Sequence, residues 1–362
     1  MKILEICPFS AGICGVWSRV KQESIELSKK GHEVYVFSSN IEKGTNRKIS
    51  HFEEINGIKI KRFTGKDSSF SENVKNFNFE DELIKLNPDI VITHLMHPHS
   101  FRALKICRRK RISCYLVTHA PFNVKRRVML SLLTKGYYTL KVIPQINKFT
   151  AIIAITKWEI PNLLELGVSK DKIVYIPNGI PNEFFTQKKS QEKDKVLFLG
   201  RIAPIKNLEI LISVARQFPK ISFSIVGVAE PKYLRKINSL KPKNVQVYSP
   251  IYDTKKKIKL IDEHKIFVLP SKREAMPQSL IEAMARGKIA ISSNTNGGKE
   301  IIKNNQNGFL FKIGNKEDLK NKIQSVLTMK LFELSKIRKN AINSVKKFKW
   351  DNLIEKLEKI LK

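Results

Sequence analysis

The sequence is short of acid. It carries 33 Asp and Glu against 67 Lys and Arg, a formal net charge of +34 at pH 7. From Ile90 to Trp158 there is no acidic residue, yet Arg102, Lys105, Arg108 to Arg111, Lys125 to Arg127, Lys135, Lys141, Lys148 and Lys157 fall there. Lysine-rich composition can be a background of heat-loving organisms, but a block of one sign is more than background. It admits nucleic acid, a membrane surface or an anionic substrate as partner. Cysteine is scarce too: Cys7, Cys14, Cys107 and Cys114, with no C-x-x-C pair and no histidines clustered beside them. That argues against a zinc site and leaves small buried hydrophobes. No apolar run approaches the length of a membrane-spanning helix. Met1 leads straight into an apolar strand, with no secretory leader pattern, so the expected place is the cytoplasm. G-x-G-x-x-G is absent, and so are the common RNA- and DNA-binding patterns, so nucleic acid is not an expected partner.

What is present suffices for two domains. The chain has 362 residues and 42% apolar content, and a length of this order usually divides. Short apolar runs alternate with helical stripes, which argues for parallel sheets covered by helices. Among the expected strands are Lys2–Cys7, Glu33–Ser38, Gly57–Phe63, Ile90–His94, Ser113–Thr118, Val196–Leu199 and Ile266–Leu269. The polar stretch Lys66–Phe79 reads as a loop, and Ile180–Asp194 as a lysine-rich linker.

The most informative stretch is Ser271 to Gly287, S-K-R-E-A-M-P-Q-S-L-I-E-A-M-A-R-G. A strand precedes it, and Pro277 suits the first position of a helix. Leu280, Ile281, Ala283 and Met284 give that helix its apolar face, and Gly287 its stop. Glu274 then lies on the loop at the helix mouth and Glu282 more than one turn inside. The free N–H groups of Gln278, Ser279 and Leu280 would face the same opening, an anion site. The plain alternative is a glutamate favouring the helix dipole and a second one solvated on the helix.

Other residues gather at strand ends. Gly12 and Gly15 follow the first strand, where a glycine lets backbone approach a phosphate, or simply makes a tight turn. His94 and His119 end two later strands, where doubly wound sheets bind ligands; either could equally be structural. Arg201 and Lys206 stand between a strand and a helix and could clamp a diphosphate. Phe122–Ile146 mixes basic and apolar residues, as at an anionic lipid surface, or as a core helix with a basic outer face.

The 271–287 string resembles the signature of the retaining nucleotide-sugar glycosyltransferases of family four, which have the GT-B fold. Gly31-His-Glu-Val34, Ile176-Pro-Asn-Gly179, the Gly200-Arg201…Lys206 frame, Gly297-Gly298 and Asn307-Gly308 are similar to further steps of that family. The resemblance spans nearly the whole chain and is strongest over Val196–Leu310. It departs at Cys14, where paired glycines are usual, at Asn207, where glycine often follows the lysine, and at Ala275-Met276-Pro277, where Gly-Phe-Gly is common. Proline there removes a backbone donor and leaves the sugar open.

The resemblance implies an α/β fold of two doubly wound Rossmann-like domains facing a cleft. Residues 1–182, with a returning helix at 350–362, would bind the acceptor, and residues 183–349 the nucleotide sugar. It implies transfer of a hexose from a UDP- or GDP-sugar to a hydroxyl of a glycan, lipid-linked in view of the basic segment, in cell-surface glycan or N-glycan assembly. Glu274 would position the sugar, Glu282 hold the ribose and His119 line the reaction face. Arg201, Lys206 and the helix N-terminus would take the diphosphate, with Gly15 facing it. No cofactor or metal is expected, since no D-x-D motif stands where it would hold one. Residues 101–148 would meet an anionic membrane on its cytoplasmic face. A nucleotide-sugar epimerase or hydrolase on this scaffold, and a basic lipid- or nucleic-acid-binding protein without catalysis, remain as alternatives.

Overall fold

The computed structural model describes residues 1–12, 14–43, 47–68, 71–122, 136, 138–186 and 192–361. The chain divides into two compact units, Met1–Asn178 with Trp350–Lys362, and Gly179–Lys349.

In the first unit, β1 (Lys2–Phe9), β2 (Glu33–Ser39), β3 (Phe52–Ile55), β4 (Ile58–Phe63), β5 (Lys66–Ser68), β6 (Ser71–Asn76), β7 (Ile90–His94), β8 (Ser113–Val117), β9 (Ala151–Ala154) and β10 (Ile173–Tyr175) follow in order. Eight of them form one sheet, in the order β10-β9-β8-β7-β1-β2-β4-β3. All its pairs are parallel except β3 with β4. Parallel strands need long crossovers, which helices supply. Both faces are then covered, so the central strands read as continuous apolar runs. β1 is one of these: Ile3, Leu4, Ile6 and Cys7 are fully buried. Leu4, Ile6, Val91, Leu116 and Ile152 share a core with Leu104 and Cys107 of helix Pro98–Lys110. Burying each large apolar side chain contributes about 1.5–3 kcal/mol.

Helix Trp350–Leu361 belongs to this unit. It buries Trp350, Leu353, Ile354, Leu357 and Leu361, and Tyr115 Oη donates to Ile360 O at 2.6 Å. His32 Nε2 meets Glu358 Oε1 at 3.0 Å.

The second unit holds β11 (Lys193–Leu199), β12 (Ser222–Val226), β13 (Val245–Tyr248), β14 (His264–Leu269), β15 (Ile289–Ser293) and β16 (Phe309–Phe311). They form a wholly parallel sheet, β13-β12-β11-β14-β15-β16. Both large sheets are doubly wound, as the alternation of strands and helices predicts. The strand order reverses between β1 and β7 in one unit and between β11 and β14 in the other. Ligands of open parallel sheets sit at such switch points, outside the carboxyl ends of the strands.

Some local expectations change. Lys66–Phe79 is not a plain loop, because β5 and β6 pair antiparallel within it. Polar strands of three to six residues carry no alternation to read. β3 is likewise unforeseen; it reaches β4 through a tight turn at Asn56-Gly57, both at positive φ, the hairpin signature of Asn-Gly. The linker ends early, since β11 starts at Lys193. All four cysteines are free and buried. In the basic amphipathic segment, residues 123–135 and 137 lie outside the described residues.

Candidate active site

In the second unit the switch point lies beside Leu199-Gly200-Arg201 and Leu269-Pro270-Ser271. Two loops meet there through backbone, Lys272 N–H donating to Ile205 O at 2.9 Å. The first loop closes in a short turn, Pro204–Lys206, and Asn207 takes a left-handed φ of 53° before helix Leu208–Ala215 begins. That conformation favours glycine and tolerates asparagine, which accounts for Asn207 in place of the family's usual glycine. The turn aims Lys206 at the second loop, and its Nζ lies 2.5 Å from Glu274 Oε1. Ser271 Oγ donates to the same oxygen at 2.5 Å.

The Glu274 loop is clamped from behind. Ser293 Oγ donates to Ser271 O at 2.5 Å. Gly297 N–H donates to Glu274 O at 3.1 Å. A Cβ on Gly297 would stand 2.5 Å from Ala275 O, nearer than van der Waals contact allows. Only glycine lets helix Asn296–Ile301 approach this loop.

Helix Gln278–Ala285 starts at the loop's end. Pro277 is its N-cap, with φ −75° and ψ 103°, and not its first helical residue as expected. Its ψ is extended, which places the start of the helix one residue later. Gln278 and Ser279 N–H groups have no acceptor among the described residues. Leu280 differs from expectation: its N–H donates to Pro277 O at 3.2 Å and its side chain is fully buried. Capping by the proline carbonyl thus leaves two free donors and not three.

Glu282 lies one turn further in and is 6% exposed. Its Oε1 receives Lys257 Nζ at 3.0 Å, from helix Thr254–Asp262. Lys257 was not foreseen; in T-K-K-K-I-K one lysine looks like the next. Arg201 is half-exposed and pairs with Glu230 Oε1 at 3.3 Å, not with the Lys206–Glu274 pair. The structure therefore gathers Lys206, Glu274, Ser271 and a helix N-terminus, which together can receive an anion beside a carboxylate.

In the first unit, Gly15 opens helix Gly15–Lys29 and an added Cβ would meet nothing within 4 Å. His119 follows β8, partly exposed, with φ 59°, and Ala120 after it has φ 50°. Left-handed backbone in non-glycine residues is strained and concentrates at functional sites. His119 Nε2 meets His94 Nδ1 at 3.0 Å. His94 Nε2 meets Glu5 Oε2 at 2.5 Å. His94 and Glu5 are wholly buried. Behind them Glu23 Oε2 and Arg19 Nη2, also wholly buried, are 2.8 Å apart. Arg19 Nη1 donates to Ile176 O at 2.9 Å, Pro177 O at 3.1 Å and Asn178 Oδ1 at 3.3 Å.

Burial sets the protonation here. It pushes Glu5 up to about 8, against the pull of Arg19. It pushes Glu23 up to about 7, again with Arg19 opposing. It drives His94 down to about 3. His119 is lowered well below the usual histidine range by desolvation and then by His94. Sequence reading missed Glu5, Arg19 and Glu23. For Glu5 a signal existed: it is a charge inside an otherwise apolar central strand.

Among the described residues no helix is long and apolar enough to cross a membrane. Residues 179–361 match the family described as glycosyl transferases group 1, and residues 13–184 match glycosyltransferase family 4. An uncharacterized glycosyltransferase of Methanocaldococcus jannaschii is 24% identical over 384 residues, covering 96% of this chain and 94% of that protein. The Escherichia coli UDP-Gal:alpha-D-GlcNAc-diphosphoundecaprenol alpha-1,3-galactosyltransferase is 29% identical over 215 residues, 54% of each chain. The structure of Anabaena HepE in complex with UDP superposes with a TM-score of 0.78 at 16% identity, over 100% of this chain and 99% of that one. These likenesses fit the two doubly wound sheets, and the chain belongs to the group 1 glycosyl transferases, enzymes that transfer glycosyl groups.

Proposed function

We propose that the chain is a retaining hexosyltransferase that moves a hexose from a UDP- or GDP-sugar to a hydroxyl of a lipid-linked glycan, in cell-surface glycan assembly. The observation that carries this reading is the Lys206–Glu274 contact at the mouth of helix Gln278–Ala285. It brings a cation and a carboxylate together beside free N–H groups, which supports a site for the charge and the hydroxyls of a sugar diphosphate.

In the reaction, the bond from the anomeric carbon to the diphosphate oxygen breaks and its electron pair stays on the diphosphate. The acceptor oxygen attacks from the same face and loses its proton to the leaving diphosphate. Charge grows on the leaving group, so donors aimed at it lower the barrier. Lys206 and the N–H groups of Gln278 and Ser279 take that role, with Arg201 joining on release from Glu230. Leu280 acts only by packing the helix. Glu274 accepts from sugar hydroxyls and Glu282 from the ribose. Gly15 leaves room for the diphosphate and His119 lines the reacting face. These cations make a bound metal unnecessary.

The galactosyltransferase relative is named for a UDP-sugar and a diphosphoundecaprenol acceptor, and HepE was solved with UDP and with UDP-glucose. Both names support a nucleotide-sugar donor, and the first supports a lipid-linked acceptor. Such an acceptor suits a protein that works in the cytoplasm and touches the inner membrane face through 101–148. The test is transfer from labelled UDP- and GDP-hexoses to a polyprenyl-diphosphate-linked sugar in EDTA, with the anomeric configuration read by NMR. Retained configuration and EDTA-resistant transfer are expected. Sugar release that ignores the acceptor would replace this reading with a hydrolase.

A further inference from the structure

Glu5, His94 and His119 form an unbroken polar chain from the interior of the first sheet to an accessible edge. Glu5 lies in mid-strand in β1, His94 ends β7 and His119 follows β8. The two contacts, 2.5 Å and 3.0 Å, use both ring nitrogens of His94. A chain of buried polar groups in a sheet core opposes folding unless every member is satisfied. The backbone is strained at the same place: Leu95, directly after His94, has φ 75°, and His119 φ 59°.

The protons of this chain follow from charge balance. The buried cluster holds one fixed cation, Arg19. One carboxylate balances it, and Glu23, in direct contact with Arg19, is that carboxylate. A second buried anion would be uncompensated, so Glu5 is the neutral acid, in line with its raised pKa. His94 is neutral as well. Ser24 Oγ donates to Glu5 Oε1 at 3.5 Å, which favours the acid proton on Oε2, the oxygen that faces His94. Glu5 O–H donates to His94 Nε2, and His94 Nδ1–H donates to His119 Nε2. The remaining proton of neutral His119 is on Nδ1, for which no partner exists among the described residues.

We propose that Glu5 and His94 are positioning residues that hold His119 in its neutral Nδ1–H tautomer, so that His119 donates a hydrogen bond to an oxygen of the bound substrate and takes no proton from it. This rests on the placement of His119 at the reacting face. It assigns two residues outside that face to the reaction and removes His119 as a general base. An isolated imidazole favours the proton on Nε2, and His119 Nδ1 has no acceptor among the described residues, so an Nδ1–H form of His119 reports the His94 contact.

The experiment is long-range 1H–15N NMR of the full chain with 15N-labelled histidine, without substrate at pH 7, the His119 signals assigned with His119→Gln. Nδ1–H patterns are expected for both His94 and His119. Glu5→Gln keeps them, because its amide N–H replaces the acid's O–H as donor. His94→Phe frees His119 to take the Nε2–H form. Should that variant fail to fold, the wild-type and Glu5→Gln spectra still decide. An Nε2–H pattern at His119 in the wild type overturns the proposal. In the kinetic arm, Glu5→Gln stays within about threefold of wild-type kcat, while Glu5→Leu falls by about tenfold or more, the scale of one lost catalytic hydrogen bond. Equal loss in both overturns it too. If His119→Ala leaves transfer intact while the tautomer is as stated, the failure belongs to the placement of His119 and not to the chain behind it.

Discussion

Lys206 Nζ and Glu274 Oε1 lie 2.5 Å apart and join two loops of the second unit that also meet through backbone. A diphosphate entering there competes with Glu274 for the same ammonium. Glu274→Gln therefore frees Lys206, and binding of the bare nucleoside diphosphate is expected to hold or tighten by up to about tenfold, the reach of one charge-assisted bond. Transfer is expected to fall at the same time. Calorimetric Kd beside kcat checks this, and weaker nucleotide binding in the variant would contradict the competition.

Lys206→Ala acts on the other partner. The leaving charge is larger in the transition state than in the bound donor, so the lysine matters most at the barrier. Turnover should drop by about 10²- to 10³-fold, as for other oxyanion donors, with a smaller change in donor affinity. Steady-state kinetics and direct binding separate the two, and equal losses would remove Lys206 from that role.

Glu282 and Lys257 make a second pair, with Nζ to Oε1 at 3.0 Å. Glu282→Ala should weaken nucleotide binding by about 1–3 kcal/mol, the range for charged hydrogen bonds. If Lys257 acts by holding that carboxylate, Lys257→Met and the double variant lose no more than the sum, and the cycle shows coupling of about 0.5 kcal/mol or more. Thermal shift with the nucleotide reads it out, and strict additivity would make Lys257 an independent contact.

Gly297 tests the clamp behind Glu274. A Cβ there meets Ala275 O at 2.5 Å, so Gly297→Ala must move the loop. A small displacement of positioned groups is enough to cost about 10²-fold in rate. The expected outcome is a folded enzyme, by circular dichroism, with transfer reduced on that scale. Wild-type activity would show the loop to be adaptable.

Glu5 predicts a pH dependence of stability. Its folded pKa is raised from 4.5 to about 8, so the stability its neutral form contributes is full below 4.5 and is lost as pH rises toward 8. Glu5→Gln cannot ionise. The variant should therefore gain on the wild type between pH 5 and pH 8, by about 1 kcal/mol or more, since each pKa unit is worth about 1.4 kcal/mol. The facing groups Arg19, Glu23, Ser24 and His94 are common to both proteins. His94, depressed to about 3, removes stability in both as pH falls below 6.5. Urea denaturation at the two pH values checks the difference, and a constant gap would contradict a neutral Glu5.

Much of this was legible in the sequence for a physical reason. Doubly wound sheets bury both faces of their central strands, so Ile90–His94 stands out as an apolar run at its observed bounds. The positions of Glu274 on a loop and Glu282 inside a helix were readable because a strand, a loop and a helix follow each other locally. Contacts between distant segments were not readable. Lys257 reaches Glu282 across 25 residues, and Glu5 reaches His94 across 89; strand order, not local pattern, brings those pairs together. Leu280 and Pro277 missed by a single residue because the helix begins after an extended proline.

The first unit is discontinuous in the chain: Trp350–Leu361 closes it after the whole second unit has been made. Translation therefore finishes the two units in reverse order. Residues 179–349 have every strand of their sheet once they leave the ribosome, while the unit begun at Met1 waits with its Leu353, Ile354 and Leu357 contacts unmade. Exposed apolar surface of that kind is what chaperones bind and what aggregates. A nascent chain held with residues 1–349 outside the ribosome is expected to show a folded late-coded half and a protease-sensitive early-coded half.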